Sequence, residues 1–276
     1  MEGIMNNKKI PLVVSSIILL AALACSFFGG QPQAQEPTSS VYATAVSAGG
    51  VHTCALLNNG KVKCWGSNDT GQFGDGTYVS HNTAVEIPGL SEVLAISAGG
   101  EHTCALLSNG EVKCWGKNTS GQLGDGTKQL QGDPVIVPSL TDAVAISAGG
   151  EHTCAILKNG KAKCWGKNLY GRVGDGSNTR LILSPVDVAG LTDRLVLISA
   201  GYEHTCAVTS PGGIKCWGKN DNGQVGDDTT RNRKIATDVI ALDSGIKSVS
   251  TGYATSCVAT EYKNVLCWGW IGRQDY

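Results

Sequence analysis

The chain is built by repetition. From His102 it reads His-Thr-Cys-Ala-Leu-Leu-Ser-Asn-Gly-Glu-Val-Lys-Cys-Trp-Gly-Lys-Asn-Thr-Ser-Gly-Gln-Leu-Gly-Asp-Gly-Thr, ending at Thr127. The same stretch recurs from His52, His152 and His204, and its first half recurs around Cys257. The leading cysteines are Cys54, Cys104, Cys154, Cys206 and Cys257, so the steps are 50, 50, 52 and 51 residues. A fixed period in this range defines a repeat architecture, in which a unit buries its apolar face only against its neighbours. The 276 residues are therefore read as one repeat domain rather than two independent ones.

Each unit carries four strand-like runs and no helical period. In the second they are Val93 to Ser97, His102 to Leu107, Glu111 to Trp115 and Pro134 to Val137, separated by glycines and polar turns. Four short antiparallel strands per unit predict an all-β fold, a β-propeller of about five blades. The repeats fall near 45–92, 93–142, 143–193, 194–244 and 245–276, and nothing in the last corresponds to Gly121 to Leu140. The last blade is thus expected to be incomplete. The N-terminal segment that could close the ring, Ala34 to Ser40, is polar and contains Pro37, which makes it a poor strand. The ring is expected to close weakly or stay open, leaving edges for a partner, a cap or a second copy, unless the product is a truncated one.

The chain has 11 cysteines, ten of them in pairs of one spacing: Cys54 with Cys64, Cys104 with Cys114, Cys154 with Cys164, Cys206 with Cys216, and Cys257 with Cys267. Structural zinc sites bring cysteines two to four residues apart, which these are not. In the second unit, Cys104-Ala-Leu-Leu and Glu-Val-Lys-Cys114 flank Ser108-Asn109-Gly110, a hairpin with Gly110 in the left-handed position. Leu106 then faces Val112, Ala105 faces Lys113, and Cys104 faces Cys114 at a non-hydrogen-bonded site, where the Cα atoms are ~4.5 Å apart. A disulfide accepts that separation. Each such bridge contributes roughly 2–3 kcal/mol by restricting the unfolded chain.

Residues 1–25 read as an export signal: Lys8 and Lys9, then an apolar run from Ile10 to Ala24, then Cys25. Ala22-Leu23-Ala24 suits ordinary cleavage, and small residues before Cys25 also form a lipobox-like end. Lipidation of Cys25 accounts for the one unpaired cysteine. Residues 26–44 then form a flexible polar linker. The expected location is the cell envelope, as a membrane-anchored lipoprotein, with a secreted protein as the alternative. Five disulfides require an oxidising compartment, in agreement with the signal.

Ala-Gly-Gly-Glu-His-Thr, Asn-Gly-x-Val-x-x-Trp-Gly and Asn-x-x-Gly-Gln-Leu-Gly-Asp-Gly-Thr resemble the repeats of the regulator of chromosome condensation family. The match covers residues ~45 to 269. The resemblance implies propeller blades and a role as a protein-interaction platform. The paired cysteines depart from intracellular members and look like exported bacterial variants. Guanine nucleotide exchange, known in the family's nuclear founder, is disfavoured for an exported chain whose matching residues are structural.

The recurring polar residues are read as scaffold. His52, His102, His152 and His204 share one repeat position, which Thr255 takes in the fifth unit, and they suit buried hydrogen bonding better than a ring of ligands. Trp65, Trp115, Trp165, Trp217 and Trp268 are expected at blade interfaces with the indole N–H satisfied. Asp75, Asp125, Asp175 and Asp227 fit turns, because no bidentate Glu follows at calcium-loop spacing. His81 is expected on a loop, and Trp270 near the open end. No metal, cofactor or catalytic constellation is expected. A net charge of −1 with scattered Lys and Arg offers no nucleic-acid surface. The function expected is an extracytoplasmic binding module for a protein or glycan, not an enzyme. An enzyme inhibitor of this fold, or a cell-envelope glycan hydrolase using Glu86, Glu92, Asp142 or Asp193, is the alternative. Specificity is expected where copies differ, at Lys128 to Gly132 and Asn178 to Ser184.

Overall fold

The structure, a computed structural model, describes residues 40–271. The export signal, Cys25 and the segment Ala34 to Ser39 lie outside the described residues. The fold is an all-β, five-blade propeller. The first blade is β1 (Ala43–Ala48), β2 (His52–Leu57), β3 (Val62–Gly66) and β4 (His81–Glu86). The second is β5 (Val93–Ala98), β6 (His102–Leu107), β7 (Val112–Gly116) and β8 (Gln131–Ile136). The third is β9 (Ala143–Ala148), β10 (His152–Leu157), β11 (Ala162–Lys167) and β12 (Leu181–Asp187). The fourth is β13 (Leu195–Ala200), β14 (His204–Thr209), β15 (Ile214–Gly218) and β16 (Arg233–Asp238). The fifth has three strands among the described residues: β17 (Ile246–Thr251), β18 (Thr255–Thr260) and β19 (Val265–Gly269). All pairings are sequential and antiparallel, and the first strands of the blades pack against one another in order, from β1 on β5 to β13 on β17.

The hairpin register is Leu106 opposite Val112, Ala105 opposite Lys113 and Cys104 opposite Cys114. Gly110 has φ +85°, the left-handed conformation that the turn demands. The same register recurs in every blade, and each cysteine pair is bridged across it. Cys54 is bonded to Cys64, Cys104 to Cys114, Cys154 to Cys164, Cys206 to Cys216, and Cys257 to Cys267. In each bridge the Cα atoms are 4.1 Å apart, somewhat closer than the ~4.5 Å of an unbridged pair. The fifth turn has no glycine, and Lys263 takes the left-handed role at φ +64°. Two local expectations are corrected. The outer strand of the second blade starts at Gln131, not Pro134, because a bulge near Trp115 shifts the register and lets Gly116 pair with Gln131. His81 is the first residue of β4 rather than a loop residue, and it stacks on Phe73 at 6.4 Å.

The core lies between blades. Cys104, Leu106, Val112, Cys114, Leu123 and Val137 on the front of the second blade pack against Ala155, Leu157 and Trp165 on the back of the third. Cys54 and Cys64 take the same place in front of the second blade, Cys154 and Cys164 in front of the fourth, and Cys206 and Cys216 in front of the fifth. These bridges are therefore core residues as well as staples, and all eight of their cysteines are fully buried. The odd and even residues of a strand serve opposite interfaces, which is why the strands are apolar on both faces. Among the described residues the two ends of the series lack this cover. Val46 is 63% exposed, whereas its counterpart Ile96 is packed into the first interface. Val265 is 70% exposed, whereas its counterpart Val112 is fully buried.

Candidate binding face

The recurring polar residues form an inter-blade lattice. His102 Nε2 meets Thr153 Oγ1 of the next blade at 2.9 Å, and Thr153 Oγ1 donates to the Gln122 carbonyl at 2.8 Å. The threonine has one proton and uses it on that carbonyl, so the imidazole is the donor to the threonine and is the neutral Nε2–H tautomer. The Gln122 carbonyl also accepts from Trp165 Nε1 at 2.9 Å, which occupies its second lone pair. His52 with Thr103, His152 with Thr205 and His204 with Ser256 repeat the motif. Trp115, Trp217 and Trp268 likewise donate to the backbone carbonyls of Gln72, Arg172 and Gln224. Trp65, with no blade behind it among the described residues, is half-buried. Burial holds His52 and His204 down to about 4. It holds His102 at about 3, aided by the neighbouring His52, and His152 well below the ordinary range, aided by Arg172. The histidines are stitches rather than a ring of bases.

The recurring aspartates are turn residues. Asp125 Oδ1 accepts from the Thr127 N–H at 2.9 Å and from Asn118 Nδ2 at 3.0 Å. Asn118 Oδ1 in turn accepts from the Leu123 N–H, and Asn68, Asn168 and Asn220 do the same in their blades. These asparagines were legible as a fixed column of the repeat, yet sequence reasoning gave them no role. Among the described residues no group of His, Cys, Asp and Glu is arranged to hold a metal.

The carboxylates available for glycan hydrolysis do not meet in one pocket. Glu86 ends β4 and pairs with Lys61 at 2.7 Å. Glu92, Asp142 and Asp193 lie in three successive inter-blade connections, just before β5, β9 and β13. The variable loops are also partly scaffold: Gly132 O accepts from Gly76 N–H of the blade before it at 3.0 Å, and Leu183 O accepts from Gly126 N–H at 2.9 Å.

The copies also differ at the mouth of the propeller. The loop between first and second strands carries Gly49-Gly50, Gly99-Gly100 and Gly149-Gly150, then Gly201-Tyr202 and Gly252-Tyr253. These loops rim a central depression of about 310 Å³ floored by alanine and glycine. Tyr202 and Tyr253 stack with ring centroids 4.8 Å apart and stay exposed, at 44% and 66%. Gly150 seats Tyr202, since a Cβ there would lie 2.7 Å from the ring.

Around this rim run paired charges. Glu101 holds Lys117 at 3.1 Å, Glu151 holds Lys167 at 2.5 Å, and Glu203 holds Lys219 at 2.8 Å. Arg172 stands where the other copies have Gln72, Gln122 and Gln224. It is 1% exposed, donates to the Tyr202 carbonyl at 3.2 Å and pairs with Glu203 at 2.9 Å. Burial lowers the Arg172 pKa, opposed by Glu203, and the Glu203 hydrogen bond raises that of Lys219. For Glu151, burial pushes upward, but the Lys167 hydrogen bond and the charges of Lys167, Lys117 and Arg172 outweigh it. Lys219 also lies 5.0 Å from the centroid of the Tyr170 ring, a cation–π contact. The sequence signal for this cluster was present as four exceptions to the repeat: Tyr170, Arg172, Tyr202 and Tyr253.

The RCC1-like domain profile matches residues 24–275. The chain belongs to the RCC1-like domain family, the propellers of the regulator of chromosome condensation type. It is 32% identical over 77 residues to the mitochondrial RCC1 domain-containing protein RUG3 of Arabidopsis thaliana, covering 28% of this chain and 17% of RUG3. It is 37% identical over 73 residues to the ultraviolet-B receptor UVR8 of the same plant, covering 26% of this chain and 17% of the receptor. Yeast RCC1 (Prp20), solved bound to Kap60, superposes with a TM-score of 0.74 at 24% identity, over 83% of this chain and 56% of that one. The CRINKLY WD40 ectodomain of the Arabidopsis thaliana receptor kinase ACR4 superposes at 0.51 with 22% identity, over 86% of this chain and 66% of that one. These likenesses establish the fold, and the chain spans only part of each relative.

Proposed function

We propose that this chain is an extracytoplasmic binding module, tethered to the membrane through a lipidated Cys25, which recognises its partner with the mouth of the propeller. One observation carries the reading. The residues that break the repeat and remain exposed, Tyr202 and Tyr253, gather on one face beside Glu203, Arg172 and Lys219. A scaffold requires neither the Tyr202 nor the Arg172 side chain, because other blades manage with glycine and glutamine at those positions, while Glu203 and Lys219 repeat the Glu–Lys pair of the second and third blades. Oxidised cysteines in every blade and the apolar leader support export. The mostly binding or regulatory relatives support recognition rather than catalysis.

The test is cross-linking of the full-length protein in its native envelope, with a photoreactive group introduced at position 202 and, separately, at position 130 on an outer loop. The expected result is a partner adduct from the mouth, together with a lipid-modified Cys25 in the mass of the N-terminal peptide. Adducts confined to position 130 would refute the mouth as the recognition face, and an unmodified Cys25 would refute the tether.

A further inference from the structure

The chemistry of the mouth specifies a ligand class, on the assumption that the chain is a binding module working through this face. We infer that the depression beside Tyr202 and Tyr253 is a binding site for a neutral saccharide.

Three observations converge on that class. First, the tyrosine pair offers exposed aromatic surface, Tyr202 at 44% and Tyr253 at 66%, with hydroxyl groups at its edge. The C–H face of a pyranose ring packs on such a surface while its hydroxyls stay available for hydrogen bonds. Second, the neighbouring charges cancel. Glu101, Glu151, Glu203 and Asp221 face Lys117, Lys167, Lys219 and Arg172, four carboxylates against four cations. A balanced rim gives no long-range attraction to an anionic or cationic ligand. Fixed carboxylate–ammonium pairs do supply adjacent acceptors and donors, the pattern that neighbouring sugar hydroxyls satisfy. Third, the site is a cup. The depression of about 310 Å³ adjoins a second of about 310 Å³ lined by Glu101, Lys117, Glu151 and Tyr202. That pair of hollows is at the small end for ligand sites and matches one or two sugar rings. An extended proline-rich peptide, the other ligand that tyrosines favour, needs a groove rather than a cup.

The arrangement is independent of the scaffold. Tyr202 donates its backbone N–H to Gly252 O at 3.0 Å, the same inter-blade bond that Gly50 makes to Gly99 O. Tyr202→Gly and Tyr253→Gly therefore restore the residue used by the other blades and should leave folding intact.

The experiment uses the disulfide-intact full chain, with cellotetraose, chitotetraose and mannotetraose as probes, read by calorimetry and saturation-transfer NMR. At least one neutral tetrasaccharide should bind with a Kd below about 10 mM. Tyr202→Gly and Tyr253→Gly should each weaken it at least about tenfold at an unchanged unfolding midpoint, and Leu130→Ser should leave it unchanged. Absence of binding by all three probes overturns the inference. So does binding that survives both tyrosine substitutions, or preference of the mouth for polygalacturonate or a proline-rich decapeptide. Cross-linking of a partner through position 202 without saccharide binding would overturn the ligand class and leave the binding-module reading standing.

Discussion

Acid should unfold this protein earlier than its carboxylates alone would dictate. The perturbation is a shift from pH 7.5 to pH 5, and the cause is the column of buried histidines. Burial depresses the pKa of His52 and His204 to about 4 and of His102 to about 3, from an ordinary 6.5. In the fold each imidazole is a neutral donor to a threonine or serine of the next blade, whereas the unfolded chain takes up a proton below pH 6.5. The unfolded state thus binds more protons, and stability falls as pH falls between 6.5 and about 4, with the contribution fully present above 6.5. At pH 5 an unfolded histidine is almost fully charged and a folded one still neutral, which costs about 2 kcal/mol per histidine. Even two of them remove a large part of the roughly 5–15 kcal/mol that holds a domain together. Glu151 and Asp227 have depressed pKa values, so their losses come at lower pH and the window from 6.5 to 5 belongs to the histidines. The assay is urea unfolding followed by tryptophan fluorescence at pH 7.5, 6.5, 6 and 5, without reductant. The midpoint should fall steeply below pH 6.5. His102→Gln, which keeps an amide donor, should lower stability at pH 7.5 and flatten the pH dependence by about one proton. A midpoint that does not move between pH 7.5 and 5, or an NMR titration placing these imidazoles near 6.5, would refute the neutral-stitch assignment.

Three other outcomes are expected. Limited reduction with trapping of thiols should label Cys257 and Cys267 first, because Cys267 is exposed while Cys64, Cys114, Cys164 and Cys216, its counterparts in the other bridges, are fully buried, and earlier labelling of any other pair would count against the packing described. Lys263→Gly should raise stability by about 0.5–1 kcal/mol in chemical unfolding, since a lysine held at φ +64° sits where glycine is unstrained; a loss would show that the turn is not the source of strain. Gly100→Ala should cost about 1–3 kcal/mol by the same measurement, because its Cβ would lie 2.4 Å from Gly150 O of the next blade, and a neutral effect would contradict the tight mouth.

The staple was legible because it follows from local rules. A hairpin closed at Asn-Gly fixes which residues face each other, and counting outward puts Cys104 opposite Cys114 without any tertiary knowledge. The same count puts Cys54 opposite Cys64 and Cys154 opposite Cys164, and it holds for Cys206 and Cys216 although Pro-Gly-Gly replaces the turn there. The number and order of blades followed from the period alone. The lattice of His102, Thr153 and the Gln122 carbonyl was only half legible. Side chains could be read as buried, but their common acceptor is a backbone atom and has no residue identity to read. The start of the second blade's outer strand was misplaced because its register depends on a bulge, and bulges leave little trace in composition. The mouth was missed for a different reason. Tyr202 and Tyr253 are 51 positions apart, and each looks like a single loop substitution until the ring brings the two loops side by side. Specificity was expected where copies differ, and that rule was applied only to the longest differing loops. There, Gly132 and Leu183 are held by inter-blade hydrogen bonds.

Why the mouth changes sequence where it does follows from the same packing. The first glycine of each loop is fixed in all five copies: a Cβ on Gly49, Gly99 or Gly149 would lie 2.3 to 2.6 Å from the next blade's carbonyl. The second position uses only its backbone N–H for the inter-blade bond, yet in the first three blades it is tight as well. A Cβ on Gly50 or Gly100 would come within 2.8 or 2.4 Å of a carbonyl, and one on Gly150 would strike Tyr202. Side chains enter at the fourth and fifth blades. Tyr202 leans back over Gly150, and Tyr253 has no following blade among the described residues to press on it. Aromatic surface is thereby confined to one sector of the rim, and the glycines opposite keep the cup open. An evenly substituted mouth would be filled by its own side chains. The asymmetry between the glycine blades and the tyrosine blades is therefore what keeps the depression open.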